Sequence, residues 1–345
     1  MPVFFNLTTV SRCFAYSMVI ALLLYLVNNY LVYWQGLPGP FNLLSHYQLI
    51  GLEALDQPLD NEQLKLGWIQ FSSYLLILAL GLIYVCQTTN RTLHDESYRF
   101  ATLSAYIIRM SFWSVVLVGS VDMLISFLRV EGLLEAVAGE TLTTQLGRPI
   151  FRGSYVHYPL ILVSFVMAAF FRNISFCWLA LLVVLSEFLI VITRFVFSYE
   201  QAYMGDIVRF WYAALFLFAS AYTLVSEGHV RVDVVYAGMS RRAKAWTNTI
   251  GCLLLGMPMC WIILMHGMGG RGNSINSPLL SFEVSQSGYG MYVKYLMAGF
   301  LVIFAVSMLI QFVSYLMFNI NELIKRSKST EESDYQQLVT SKRST

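Results

Sequence analysis

Glu187 is the side chain in this sequence placed to do chemistry inside a membrane. It lies about 13 residues into the apolar run "ISFCWLALLVVLSEFLIVITRFVFS", near a bilayer midplane at about 1.5 Å per helical residue. A carboxylate at that depth is costly and serves either a proton or ion pathway or a hydrogen bond that fixes helix packing; both readings stand. Arg194 follows seven residues later, on the same helical face but about 10 Å away, so the two need a bridging group to interact. His157 and His266 fall toward the same side of their own apolar runs, and such a pair could bracket one b-type haem. His46, His94 and His229 fall in connections, and Asp122 and Arg109 lie near enough to the ends of their run to snorkel.

Other chemistry has little footing. Cys13, Cys86, Cys177, Cys252 and Cys260 are odd in number and show no C-x-x-C spacing, which fits small buried hydrophobes better than disulfides or zinc. The sequence has no P-loop, G-x-G-x-x-G, nucleophile elbow or H-E-x-x-H, so it is read as a non-enzyme that needs no metal or cofactor of its own.

The elements that must carry these residues follow from composition. The chain is 57% hydrophobic and 12% charged, with mean hydropathy +0.62. Soluble domains carry about 25% charged residues. The expected fold is an all-α polytopic membrane protein with about eight spans, at 13–34, 67–87, 102–128, 154–171, 174–198, 207–226, 246–268 and 292–318. Only Arg172 and Asn173 separate the fourth from the fifth, and fusing them would give seven. The first run, after Arg12, is too long for a signal-peptide core and is read as retained. The basic loop at 227–245 and the polar tail place both termini in the cytoplasm. A net charge of +2 gives no reason to expect nucleic acid.

Two packing signals stand out. Ala214, Ala221 and Gly228 recur every seven residues beside Ala213 and Ser220, a stripe that lets helix backbones approach. Pro258 in "LLLGMPMCW" should kink its span. In "SEGHVRVDVVYAGMSRRAK", Glu227, His229, Arg231 and Asp233 alternate with Gly228, Val230 and Val232, as an extended segment with one polar side would.

The stretch from Ile192 to Gly251 resembles the small membrane (Q, DctQ-type) subunit of tripartite ATP-independent periplasmic (TRAP) transporters. The resemblance rests on Arg194-Phe195-Val196-Phe197 closing one helix and on Asp206 opening the next. It continues through "GHVRVD" at 228–233 and the basic pair Arg241 and Arg242. "SFEVSQSGYGMYVKYL", with Glu283 and Lys294, and the helix holding Gln311 extend the likeness, which covers about residues 174–324. No proline occurs in "MAGFLVIF", where several members have one in the last helix.

The resemblance implies a division into residues 1–153, an N-terminal membrane extension with about three spans; 154–324, a four-to-five-span core; and 325–345, a polar cytoplasmic tail. It implies a bacterial inner-membrane subunit that scaffolds a large permease (M) subunit for Na⁺-driven uptake of a carboxylate or other organic anion. A periplasmic binding protein would deliver that substrate. The interface or structural polar residues would be Glu187, Arg194, Glu200, Asp206, Arg209, Glu227, His229, Arg231, Asp233, Glu283 and Lys294. Two alternatives remain open: a self-sufficient secondary transporter using Glu187, and a haem-b membrane anchor.

Overall fold

The computed structural model describes residues 7–51, 55, 57–172, 176–225, 234–285 and 290–341. The regular structure among them is helical, and eight helices are long and apolar enough to cross a membrane. They are α1 (Leu7–Tyr33), α2 (Asn61–Gln87), α3 (Leu93–Val130), α4 (Pro149–Phe170), α5 (Cys177–Phe197), α6 (Ala202–Ser220), α7 (Arg241–Met268) and α8 (Lys294–Lys325). Eight spans rather than seven result because the chain turns extended at Phe171 (φ −93°, ψ 91°), ending α4 before α5 begins.

Several helices start a turn or two before their apolar runs, because polar residues cap them. Asp60 accepts from Gln63 N at 2.7 Å while the Gln63 side chain accepts from Asp60 N at 3.2 Å, a reciprocal box that satisfies two of the orphan donors opening α2. Thr92 and Asp95 do related work ahead of α3, with Asp95 N donating to Thr92 Oγ1 at 3.2 Å. The hydropathy of the apolar runs alone places those starts too late.

Pro159 and Pro258 each sit two residues after a single π-helical turn, Gly153–His157 and Cys252–Gly256. Tyr158 N and Met257 N donate five residues back, to Gly153 O and Cys252 O. Proline lacks the N–H and crowds the carbonyl four residues before it, and the wider turn is where each helix absorbs that. The disturbance expected at Pro258 is therefore this π turn.

The chain divides into two compact units. The first comprises Met1–Ala101, Arg231–Met259 and Leu309–Thr345. Its polar centre is Arg12, fully buried, whose guanidinium donates to Thr88 O (2.8 Å), Thr88 Oγ1 (2.7 Å) and Glu96 Oε1 (2.9 Å). Tyr16 donates to the other Glu96 oxygen at 2.7 Å. Arg12 thus neutralises a buried carboxylate and covers the carbonyl end of α2, where the helix dipole favours a cation. Ser314 Oγ donates to Ser97 O at 2.7 Å, and Asn248 donates to Tyr315 and Asn319, joining the α7 and α8 segments. A Cβ on Gly256 would come within 2.9 Å of the Phe312 ring, so glycine there sets the spacing of those two segments.

The second unit comprises Thr102–Val230 and Cys260–Met308. Ile207, Trp211, Ala214 and Phe218 form the buried stripe of α6 at four-, three- and four-residue spacing. Ala214 therefore lies at a close contact, as the small-residue pattern expects, while the Ala221 side chain and Gly228 lie outside the described part of the chain. Across from that stripe, Gly119 of α3 leaves room for the Trp211 indole, which donates to Val115 O at 3.3 Å.

Candidate functional site

The polar heart of the second unit is Asp122 on α3. Its Oδ1 accepts from Arg152 Nη1 and faces His157 Nε2, each at 3.0 Å, and its Oδ2 accepts from Tyr292 N at 2.8 Å. Asp122, Arg152 and His157 are all fully buried. Arg152 and His157 are five residues apart, about 140° around an ordinary α-helix. The π turn at Gly153–His157 brings both onto one carboxylate oxygen.

The remaining bonds of the cluster are filled from within. Arg152 donates to Leu146 O (3.0 Å) and Ser126 Oγ (3.1 Å), and its guanidinium lies 4.1 Å from the Tyr292 ring centroid. That cation–π contact accompanies Nη2, which has no hydrogen-bond acceptor among the described residues. His157 Nδ1 lies 2.9 Å from the Tyr295 hydroxyl. With Nε2–H donating to Asp122, both nitrogens of the His157 ring are engaged inside the network. A Cβ on Gly153 would collide with Phe282, so glycine is required beside this cluster.

A second carboxylate completes the arrangement. Asp206, in the first turns of α6, accepts from Met291 N at 3.0 Å. Asp122 and Asp206, on different helices, therefore hold the successive N–H groups of Met291 and Tyr292 just before α8 begins. Negative charge in front of a helix N-terminus is favourable, and both donors would otherwise lack intrahelical partners. Arg209 lies 3.5 Å from Asp206, and Lys294 pairs with Glu283 at 2.6 Å. Asp206, Arg209 and Lys294 line a cavity of about 360 Å³ together with Ser285, Met291, Val293 and Met297. Asp206 and Arg209 pair within it, and Lys294 pairs with Glu283 beside it.

The residues singled out in the sequence thus separate into groups. Asp206, Arg209, Glu283 and Lys294 come together around the start of α8. Arg194 pairs with Glu200 at 3.4 Å on an exposed surface. Glu187 is exposed on α5 and, among the described residues, neither Arg194 nor any other group pairs with it. Glu227, His229, Arg231 and Asp233 lie outside the described residues.

Two expectations need correction. Asp122 does not snorkel: it is fully buried and organises the unit. His157 is not open to a haem iron, because both ring nitrogens are engaged, one with Asp122 and the other with Tyr295. Arg152 and Tyr292 were not legible as partners of Asp122, since only the fold joins positions 30 and 170 residues away in sequence. The one local signal was "RGSYVHYP", where a glycine just after the arginine and a proline just after the histidine favour a widened turn between them.

Eight apolar helices, with buried charges paired inside the protein, support a multi-pass membrane protein. Residues 183–318 match the family model of the tripartite ATP-independent periplasmic transporters, DctQ component. This part of the chain is similar to the DctQ component of such transporters, and a long N-terminal region precedes it. That family is one of transporter components and not of enzymes. No curated protein and no solved structure matches the chain. Asp122, Arg152 and His157 all precede the matched segment, whereas Tyr292 and Tyr295 belong to it, so the N-terminal region contributes to the core of the second unit.

Proposed function

We propose that the chain is the small permease subunit of a Na⁺-driven TRAP transporter in the bacterial inner membrane. It scaffolds a large permease (M) subunit for uptake of a carboxylate or other organic anion handed over by a periplasmic binding protein. The observation that carries this reading is the DctQ match over residues 183–318. The geometry agrees with a supporting role, because the buried carboxylates Asp122 and Asp206 hold backbone and side-chain donors of this chain itself. In this reading both termini are cytoplasmic, and residues 1–153 enlarge the membrane scaffold. Asp206, Arg209, Glu283 and Lys294 then face the periplasm, while Glu227, His229, Arg231 and Asp233 face the cytoplasm.

An independent transporter working through Glu187 has less support. A working carboxylate belongs between helices or in a water-filled cavity, and Glu187 lies on the exposed side of α5. The test is purification of the tagged chain from its native membrane in mild detergent, with partners identified by mass spectrometry. A stoichiometric large permease is expected. Recovery of a stable chain that transports alone in vesicles would overturn the proposal.

A further inference from the structure

We infer that the Glu187 face of α5 is the surface on which the large permease docks, through a transmembrane helix bringing a basic or hydrogen-bond-donating side chain to mid-membrane depth. The inference rests on the small-subunit reading above and adds where the partner sits and what chemistry it presents.

Glu187 is the middle residue of the 21-residue α5, with ten residues on either side. That places it about 15 Å from each helix end, half of a hydrocarbon core about 30 Å thick. A glutamate side chain is too short to reach either interface from there. Val184 and Val191, three and four residues from it, share its face and are exposed, while Val183 and Ile190 at its other edge are half-buried. Leu179 is the one residue of α5 that is buried. If this face met lipid, the carboxylate would stand in hydrocarbon with no donor, an expensive placement.

The comparison with α2 separates a lipid face from a protein face. α2 is also mostly bare, with Leu76 and Leu80 among its exposed residues, yet it carries no charged residue after Lys65. Its composition is that of a surface meant for lipid. Arg109, another ionisable group on a spanning helix that is not fully buried, donates to Ala168 O at 3.4 Å. Among the described residues, Glu187 is the mid-span charge without a partner, and one must come from elsewhere. Charge also selects the partner. A second copy packed on this face would bring carboxylate against carboxylate, whereas a helix bearing Lys, Arg, Asn, Gln or Tyr completes the hydrogen bond.

The experiment places a benzophenone amino acid at Val184 or Val191, flanking Glu187, and at Leu76 or Leu80 of α2 as lipid controls, in cells expressing the whole transporter. Irradiation should join positions 184 and 191 to the large permease, identified by its own peptides, and leave 76 and 80 unjoined. Glu187→Leu should lower the permease recovered per tagged chain about three- to tenfold, and Glu187→Gln, which keeps hydrogen bonding, less than about twofold. If the permease co-purifies but positions 184 and 191 give only lipid adducts or a second copy, the inference falls and the small-subunit reading stands. If the unsubstituted chain recovers no permease, that reading fails and takes the inference with it.

Discussion

Replacing Asp122 with alanine should be the most damaging single substitution in the polar cluster of the second unit. The change leaves the fully buried Arg152 without its counter-charge and removes the acceptors of His157 and Tyr292 N. Breaking a buried ion pair by deleting one partner costs about 3–5 kcal/mol. Stranding the Tyr292 amide adds about 1 kcal/mol. At roughly 2 °C per kcal/mol for a large domain, the thermal midpoint should fall by about 8–12 °C. A thiol-reactive dye reports unfolding directly, because Cys252 and Cys260 are buried; the exposed Cys177 is replaced by alanine to lower the background. The companion variant, Asp122→Leu with Arg152→Met, removes both charges and should recover at least half of the loss, since the cost lies in the lone charge more than in the missing pair. A fall of less than about 2 °C for Asp122→Ala, or a double variant no better than the single one, would refute the account of this cluster.

Other substitutions grade the same reasoning. Arg12→Ala and Glu96→Ala should each cost about 3–5 kcal/mol by the same thermal assay, because their side chains are 2% and 0% exposed. Lys294→Ala and Glu283→Ala, in a pair that is 48% and 42% exposed, should cost less than about 1 kcal/mol despite its shorter distance. Gly119→Ala should cost about 1–3 kcal/mol, because its Cβ would lie 2.6 Å from Trp211 Nε1, and Trp211→Phe in the same chain should restore part of that loss. Tyr295→Phe should cost about 1–2 kcal/mol, read as a thermal shift, through the buried ring nitrogen left unpaired on His157.

The spans were legible because a hydrocarbon solvent demands long apolar runs, and those appear directly in the sequence. Their polar beginnings were not, because capping by Asp60 and Thr92 depends on local hydrogen bonds that hydropathy does not register. The polar residues around α8 were partly legible. Asp206, Arg209, Glu283 and Lys294 could be picked out by type and by resemblance, but the use of Asp206 to hold Met291 N could not. Asp122 was undervalued for a related reason. Distance from the end of an apolar run estimates whether a charge can reach water, but it is silent about a partner 30 residues away on another helix. Arg12 shows the same limit: as a charge beside a span it reads as a topology marker, whereas in the fold it is buried against Glu96 and the end of α2. Glu187 was legible by position alone, and the fold adds that its side chain is exposed.

Uptake into proteoliposomes tests the central claim most directly. Vesicles would hold this chain alone, the large permease alone, or both, with the binding protein and a labelled organic anion outside and a Na⁺ gradient imposed. The account predicts uptake only when both membrane chains and the binding protein are present, and its collapse when the Na⁺ gradient is removed. Uptake by this chain alone, or full uptake by the permease and binding protein without it, would contradict the account.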